Sequence, residues 1–405
     1  MCRNQIKSMV KENLDEVISW RRHFHEFPEL SFEEFETSKF IAEKLNKMGF
    51  EVKNNVGGTG VIATFDSGIG GPNIAFRADM DALPILEDTG LEFESKNPGV
   101  MHACGHDCHM AILLGTAFTI SQMKDWFKGT IKFIFQPGEE ANGGAKCIIN
   151  DGALENPNVE AIFALHMMPE LACGTIGTKS GPLSATDDEF EIRIKGKGAH
   201  SSEPHCGVNA IVIAAQVISG LQSVLSNGID PFDVATFSIC QINGGEAVNI
   251  IPDYVEMRGM IRCIDKSSKE IIKKKMKQIV VGTAEAMGGN GAIEFITGFP
   301  SVNNDTILTE KVIDVAESIL ESKECCIKLK RPHMGSEDFA YYQEEIPGSI
   351  FMLGCAQDDT PTGTLHDATL NINEDSISVG IEMFVNLALS LCGKQYERVW
   401  GNMLY

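Results

Sequence analysis

Basic residues are in short supply: 34 Lys and Arg stand against 56 Asp and Glu in 405 residues, a formal net charge of -22. That balance argues against a nucleic-acid or anionic-membrane partner, since both need clustered Lys and Arg, and the longest basic run, Lys273-Lys274-Lys275, falls inside a helical pattern. A long apolar run is missing too. The longest, residues 210–221, is interrupted by Gln216 and Ser219 and is too short to cross a bilayer, so no membrane span is expected. Residues 1–17 alternate charged and apolar types without an apolar leader core or cleavage site, and the twelve cysteines form no secreted-domain framework. A reducing cytoplasm is the expected compartment, with the cysteines as free thiols. No internal repeat or low-complexity tract is present.

What the chain does have is length and alternation. At 405 residues it exceeds one ordinary core, so two domains are expected. Helical spacing over 9–26 and 33–48 is followed by strand-like runs at 50–54, 61–65 and 73–77, an apolar helix at 110–121, and buried strands at 129–135 and 159–165. From residue 185 the character changes to strand, helix, strand, strand, helix, strand, ending near 297, the order of a ferredoxin-like sandwich. Helix and strand alternation then resumes. The reading is an α/β catalytic sheet flanked by helices, built from 1–184 and 298–405, interrupted by an inserted ferredoxin-like α+β domain over 185–297.

One stretch concentrates chemistry: Met101-His102-Ala103-Cys104-Gly105-His106-Asp107-Cys108-His109 puts three imidazoles and two thiols in nine positions. Both groups are donors for borderline metals, and Gly105 lets the backbone bring Cys104 and His106 toward one point. Further donors follow. Glu139-Glu140 comes directly off an apolar strand, His166 ends another, and His366 stands alone near the end. Solvent-facing glutamates in a turn are the plainer alternative for the pair. On an extended segment neighbouring side chains point to opposite sides, so one glutamate is expected to ligate while the other handles protons. Asp79 and Asp81 close an apolar strand, a position that suits either a capped turn or carboxylates supporting a metal. His23 and His25 also sit beside glutamates, but a helix ending before Pro28 accounts for them. Nucleotide binding is disfavoured, because Gly196-Lys197-Gly198 lacks phosphate-loop spacing and Gly68-Ile69-Gly70-Gly71 has no helix after it. A two-metal hydrolase is the working hypothesis.

Six segments in order resemble the M20 metallopeptidase family, most of all its branch of aminoacylases, hippurate hydrolases and auxin-conjugate amidohydrolases. They are residues 101–109, Gln136-Pro137-Gly138-Glu139-Glu140, Leu165-His166, Gly196-Lys197-Gly198-Ala199-His200-Ser201-Ser202, Gly244-Gly245-Glu246-Ala247-Val248-Asn249-Ile250-Ile251-Pro252, and Met334-Gly335-Ser336-Glu337-Asp338-Phe339. The resemblance implies that Cys104, His106, Glu140, His166 and His366 ligate two divalent metal ions, zinc or else manganese, cobalt or nickel. It implies Glu139 as general base and His200 as the group that stabilises the oxyanion, commonly across a subunit boundary. Asn249, Arg262 and the backbone at Gly335 are implied to meet the substrate carboxylate, Arg262 bidentately, although an ion pair with Asp265 or Glu256 would also explain Arg262. His102, His109 and His333 are read as packing or supporting residues, His109 by hydrogen-bonding a ligand. Asp367-Ala368 after His366 departs from the common family pattern and leaves the local loop open.

The sequence therefore points to a cytoplasmic, homodimeric amidohydrolase that cleaves an N-acyl amino acid or short peptide. The inserted domain would serve as lid and dimerisation element. Two other readings remain: a dipeptidase or carboxypeptidase using the same site, and a catalytically silent zinc-binding or redox-sensing dimer.

Overall fold

The computed structural model describes residues 3–141, 143–358 and 361–394. The chain divides into two compact units, Met1–Leu183 with Asn303–Arg331 and Asp338–Tyr405, and Ser184–Val302 with Pro332–Glu337.

The first unit is built on an eight-stranded mixed sheet flanked by helices. Its centre is four neighbouring parallel strands, Thr130–Gln136, Asn73–Asp79, Ala161–Ala172 and Gly348–Ala356. All seven residues of Thr130–Gln136 are buried, as near-continuous apolar runs are when a parallel sheet is covered on both faces. An antiparallel hairpin, Glu51–Val56 with Gly60–Asp66, extends one edge, and the short Ile176–Thr178 and Cys326–Lys328 extend the other. The helix His106–Ser121 is apolar almost all round and packs inside the core with Arg3–Glu26 and Asp375–Cys392. Because the central strands are parallel, the segments after Asp79 and after Gln136 leave the sheet along the same edge, that formed by the strands' carboxyl ends, where α/β sheets place their sites.

Charged groups at that edge are fixed by Arg77, a fully buried guanidinium. Its Nε donates to Gln136 Oε1 at 2.8 Å, Nη1 to Asp79 Oδ2 at 2.6 Å and Nη2 to Asp338 Oδ1 at 2.6 Å. Asp338 also accepts from Gln136 Nε2 at 2.8 Å and from the Ala145 amide at 2.8 Å. Behind the sheet edge, Arg21 Nε lies 2.9 Å from Asp107 Oδ2, and His25 bridges Asp107 and Glu87 at 2.7 and 2.9 Å. His23 instead stacks on Phe40.

Two boundaries differ from the sequence reading. The helix expected from residue 110 begins at His106, because Gly105 takes a left-handed φ of 81° and turns the chain into it one turn earlier. The strand expected to end at 165 runs on to Ala172, paired with Gly348–Ala356, so His166 lies within it.

The second unit is a four-stranded antiparallel sheet in the order Ala235–Gly244, Tyr254–Cys263, Asp188–Lys195, Asn290–Thr297. Helices Ala210–Gly228 and Lys266–Ala286 pack on it, which is the ferredoxin-like topology. Asn209 and Asp265 cap these helices through their side-chain oxygens. Ala210–Gly228 is longer than the apolar stretch read from sequence, and by length and composition both it and Asp375–Cys392 could span a bilayer; the second is mostly buried, whereas the first is only 33% buried.

Replacing Arg77 with Met should leave the Asp79 and Asp338 carboxylates buried without their cation and cost about 3–5 kcal/mol of unfolding free energy. Urea denaturation measures it, and a loss under about 1 kcal/mol would show that those carboxylates are compensated elsewhere.

Candidate active site

Backbone chemistry first decides which ring nitrogens face inward. His106 Nδ1 is 2.8 Å from the Asp81 carbonyl, and His166 Nδ1 is 2.8 Å from the Met167 carbonyl. A carbonyl only accepts, so both rings carry a proton on Nδ1 and direct Nε2 to the interior. The His106 Nε2 is buried without a hydrogen-bond partner. His109 is committed differently: Nδ1 donates to Asp79 Oδ1 at 2.6 Å and Nε2 accepts from the Met167 amide at 2.9 Å, so neither nitrogen is available to an ion. It holds the strand residue next to His166 instead. His102 is buried, and burial pushes its imidazole down to about 3.

Ligand-type atoms then converge in overlapping trios, each with all members within 4.8 Å of one another. Cys104, His106 and His166 form one, and Cys104, Glu140 and His366 form another, so the Cys104 sulfur belongs to both. Its Sγ is 3.6 Å from His166 Nε2, and His366 Nε2 is 3.2 Å from Glu140 Oε1. His106, Glu139 and Glu140 form a third. His366 holds a left-handed φ of 66°, and its amide donates to the Ala103 carbonyl at 2.7 Å, which clamps the last donor beside the first.

The electrostatics follow the geometry. Burial alone would raise the Cys104 thiol, but the His166 and His106 charges outweigh it and bring the thiol down to about 6. Hydrogen bonds that His366 donates to Cys104 and Glu140 lift its imidazole to about 10. A thiolate, a carboxylate and three imidazoles would suit borderline divalent ions, which would take the place of the protons that otherwise hold the donors together.

Glu139 and Glu140 are not on opposite sides of an extended segment. The strand stops at Gln136, Gly138 turns at a left-handed φ of 61°, and both carboxylates reach within 4.8 Å of one another. The Asp81 carboxylate makes this turn, accepting the Glu139 and Glu140 amides at 3.0 Å each and the Ser31 hydroxyl at 2.6 Å. Burial raises the Asp81 carboxyl, yet its hydrogen bond and charge interaction with His106 hold it below the usual range. Asp81 is thus the residue that aims the glutamates, and Asp79 acts through His109. Their place after an apolar strand signalled a role without revealing these partners.

In the second unit the implied substrate residues form two groups. His200 pairs with Ile250 across a two-residue ladder, and the Ser201 amide donates to the Asn249 carbonyl at 2.9 Å. Arg262 is elsewhere: Nη1 donates to the Met334 carbonyl at 3.1 Å and Nη2 lies 3.8 Å from Asp187. The Gly335 carbonyl accepts from the Ala185 amide, and Ser336 Oγ donates to Asp187 at 3.1 Å. Neither expected alternative partner holds Arg262, since Asp265 caps a helix and Glu256 bonds Arg258. Strand Tyr254–Cys263 begins just after the Ile250–His200 pair and carries Arg262 eight residues beyond Tyr254, about 26 Å along the strand at 3.3 Å per residue. Asn249 and Arg262 are therefore not brought together within one unit.

Comparison with known proteins agrees with this geometry. The sequence profile of peptidase family M20/M25/M40 matches residues 75–390. The N-acetyl-L-cysteine deacetylase of Bacillus subtilis (strain 168) is 40% identical over 89% of this chain and 85% of its own length. Thermostable carboxypeptidase 1 of Saccharolobus solfataricus is 37% identical over 96% of this chain and 99% of its own. Among solved structures, the Bacillus subtilis YXEP protein, described as a dinuclear metal binding peptidase of the M20 family, aligns with a TM-score of 0.82 at 37% identity, covering 94% of this chain and 98% of that one. With a matching profile over most of its length, near-full-length relatives and the donor trios in place, this chain belongs to peptidase family M20/M25/M40.

Proposed function

We propose that this protein hydrolyses the amide bond of N-acyl amino acids, releasing a carboxylic acid and a free amino acid, as a cytoplasmic zinc-dependent homodimer. The observation that carries the reading is the pair of donor trios joined at Cys104 with the Glu139 carboxylate beside them. Two divalent ions bound there would polarise an amide carbonyl and lower the pKa of a water toward neutrality. The chain's own residues do the rest. Glu139 takes the proton of the attacking water and passes it to the departing nitrogen, which an amide requires because an amine leaves only once protonated. Arg262 grips the free carboxylate, and His200 donates to the oxyanion. A thiolate with imidazoles and carboxylates favours zinc, while manganese, cobalt and nickel accept the same donors. The eleven described cysteines are all unbridged, in keeping with a reducing compartment.

The dimer is supported by distance. Arg262 lies near one end of strand Tyr254–Cys263 and the His200–Ile250 pair beyond the other, about 26 Å of strand apart, which favours a second copy as the source of His200 and Asn249. Exposed apolar residues near that end, Ile211, Val212, Ile242, Val248 and Ile250, fit a surface covered by a partner.

The relative named as a carboxypeptidase also fits a carboxylate grip, so the blocked or free state of the substrate amine discriminates the two readings. N-acetyl and N-benzoyl amino acids should turn over faster than dipeptides with a free amino group; the reverse order favours the peptidase.

Three outcomes test the scheme. Glu139→Gln should keep its metal by elemental analysis yet lose about two to four orders of magnitude in kcat, and near-normal turnover would remove Glu139 as base. Substrates whose carboxylate is amidated should be poor, and Arg262→Ala should erase the difference between acid and amide; a preference that survives the substitution places the carboxylate elsewhere. Finally, His200→Ala and Arg262→Ala enzymes, each inactive alone, should regain activity when mixed and allowed to exchange subunits, with one working site per mixed dimer. No regain means that His200 serves its own chain.

A further inference from the structure

The geometry points to Ser202 as a positioning residue that fixes His200 in the tautomer carrying its proton on Nε2. The inference rests on the reading of His200 as the oxyanion donor and adds what makes it a donor. His200 lies at the end of the two-residue strand Ala199–His200, in a turn closed by the Glu203 amide donating to the His200 carbonyl at 2.9 Å. Two groups of Ser202 meet the same ring atom: the backbone amide donates to His200 Nδ1 at 3.2 Å, and Oγ stands 2.7 Å from it. An amide N–H can only donate, so Nδ1 must present its lone pair. The hydroxyl then directs its own proton to the same nitrogen, and the neutral ring keeps its hydrogen on Nε2.

The consequence is chemical. With the proton on Nε2, the outer tip of this exposed imidazole is a hydrogen-bond donor, which an oxyanion requires; in the other tautomer the same tip presents a lone pair and repels it. In this tautomer the ring presents its Nε2–H before substrate arrives. Ser202 does not touch the reacting atoms in this scheme. It is exposed and contributes nothing to the core, so its hydroxyl can be removed without unfolding the unit.

The test uses the full-length, metal-loaded enzyme with 15N-labelled histidine, read by long-range proton–nitrogen correlation, His200 being identified by the signals missing from His200→Ala. Wild type should show Nδ1 unprotonated and Nε2 protonated. Ser202→Ala, which retains only the weaker amide contact, should move the His200 signals toward a tautomer mixture and lower kcat about 2- to 10-fold at unchanged KM, the scale of one neutral hydrogen bond. Ser202→Thr should restore both. A proton on Nδ1 in wild type, or a Ser202→Ala enzyme unchanged in spectrum and kcat, overturns the assignment. His200→Ala kinetics separate this from the parent reading: near-wild-type turnover there removes the oxyanion role itself, whereas an inactive His200→Ala beside a fully active Ser202→Ala removes Ser202 alone.

Discussion

A carboxylate taken out of water costs several kcal/mol unless cations or N–H groups meet it, and this protein buries Asp79, Asp81, Asp107, Glu139 and Asp338 near one sheet edge. Each solution to that problem also positions chemistry. Arg77 neutralises Asp79 and Asp338, and in doing so joins two parallel strands and the chain that returns after the inserted unit. Asp81 is satisfied by the amides of Glu139 and Glu140, so the group that needs donors is the group that shapes the turn. Asp107 is met by Arg21 and His25, which secures the first turn of the helix bearing His106. Placing a metal-binding set in a dry interior and holding it rigid are the same act.

Local pattern made much of this legible. Parallel core strands announce themselves as apolar runs, the inserted unit by its order of elements, and the donors by residue types too costly to bury without purpose. Cys104 and His106 could be paired from spacing alone because a glycine separates them. The rest depended on what lies across space. Nothing local says that His109 spends both nitrogens on Asp79 and Met167, or that Asp81 receives two amides from residues nearly sixty positions away. The glutamate pair shows the opposite failure, where a sound rule for strands does not hold three residues past the end of a strand. The extension of Ala161–Ala172 through Pro169 was invisible for a related reason, since its neighbour Gly348–Ala356 supplies the pairing.

The division of the last motif is instructive as well. Met334 to Glu337 go with the inserted unit and Asp338 with the first, although the six residues read as one signature. A motif contiguous in sequence therefore serves two bodies: its Met334 carbonyl accepts from Arg262, and its aspartate closes the Arg77 network. Sequence reasoning assigns a motif one role by default, and only the fold shows where it is shared.

The strand Tyr254–Cys263 carries a further implication. In the proposed homodimer it would work as a ruler, with the proposed oxyanion donor for one reaction centre beyond one end and the proposed carboxylate grip for the other centre at the opposite end. Its side chains can vary widely as long as alternate ones face the helices. Its length cannot, because adding or removing a pair of residues keeps every side chain on its proper face while shifting both centres by two rises of the strand. The constraint on this element thus falls on insertions and deletions more than on substitutions, and it binds both centres at once.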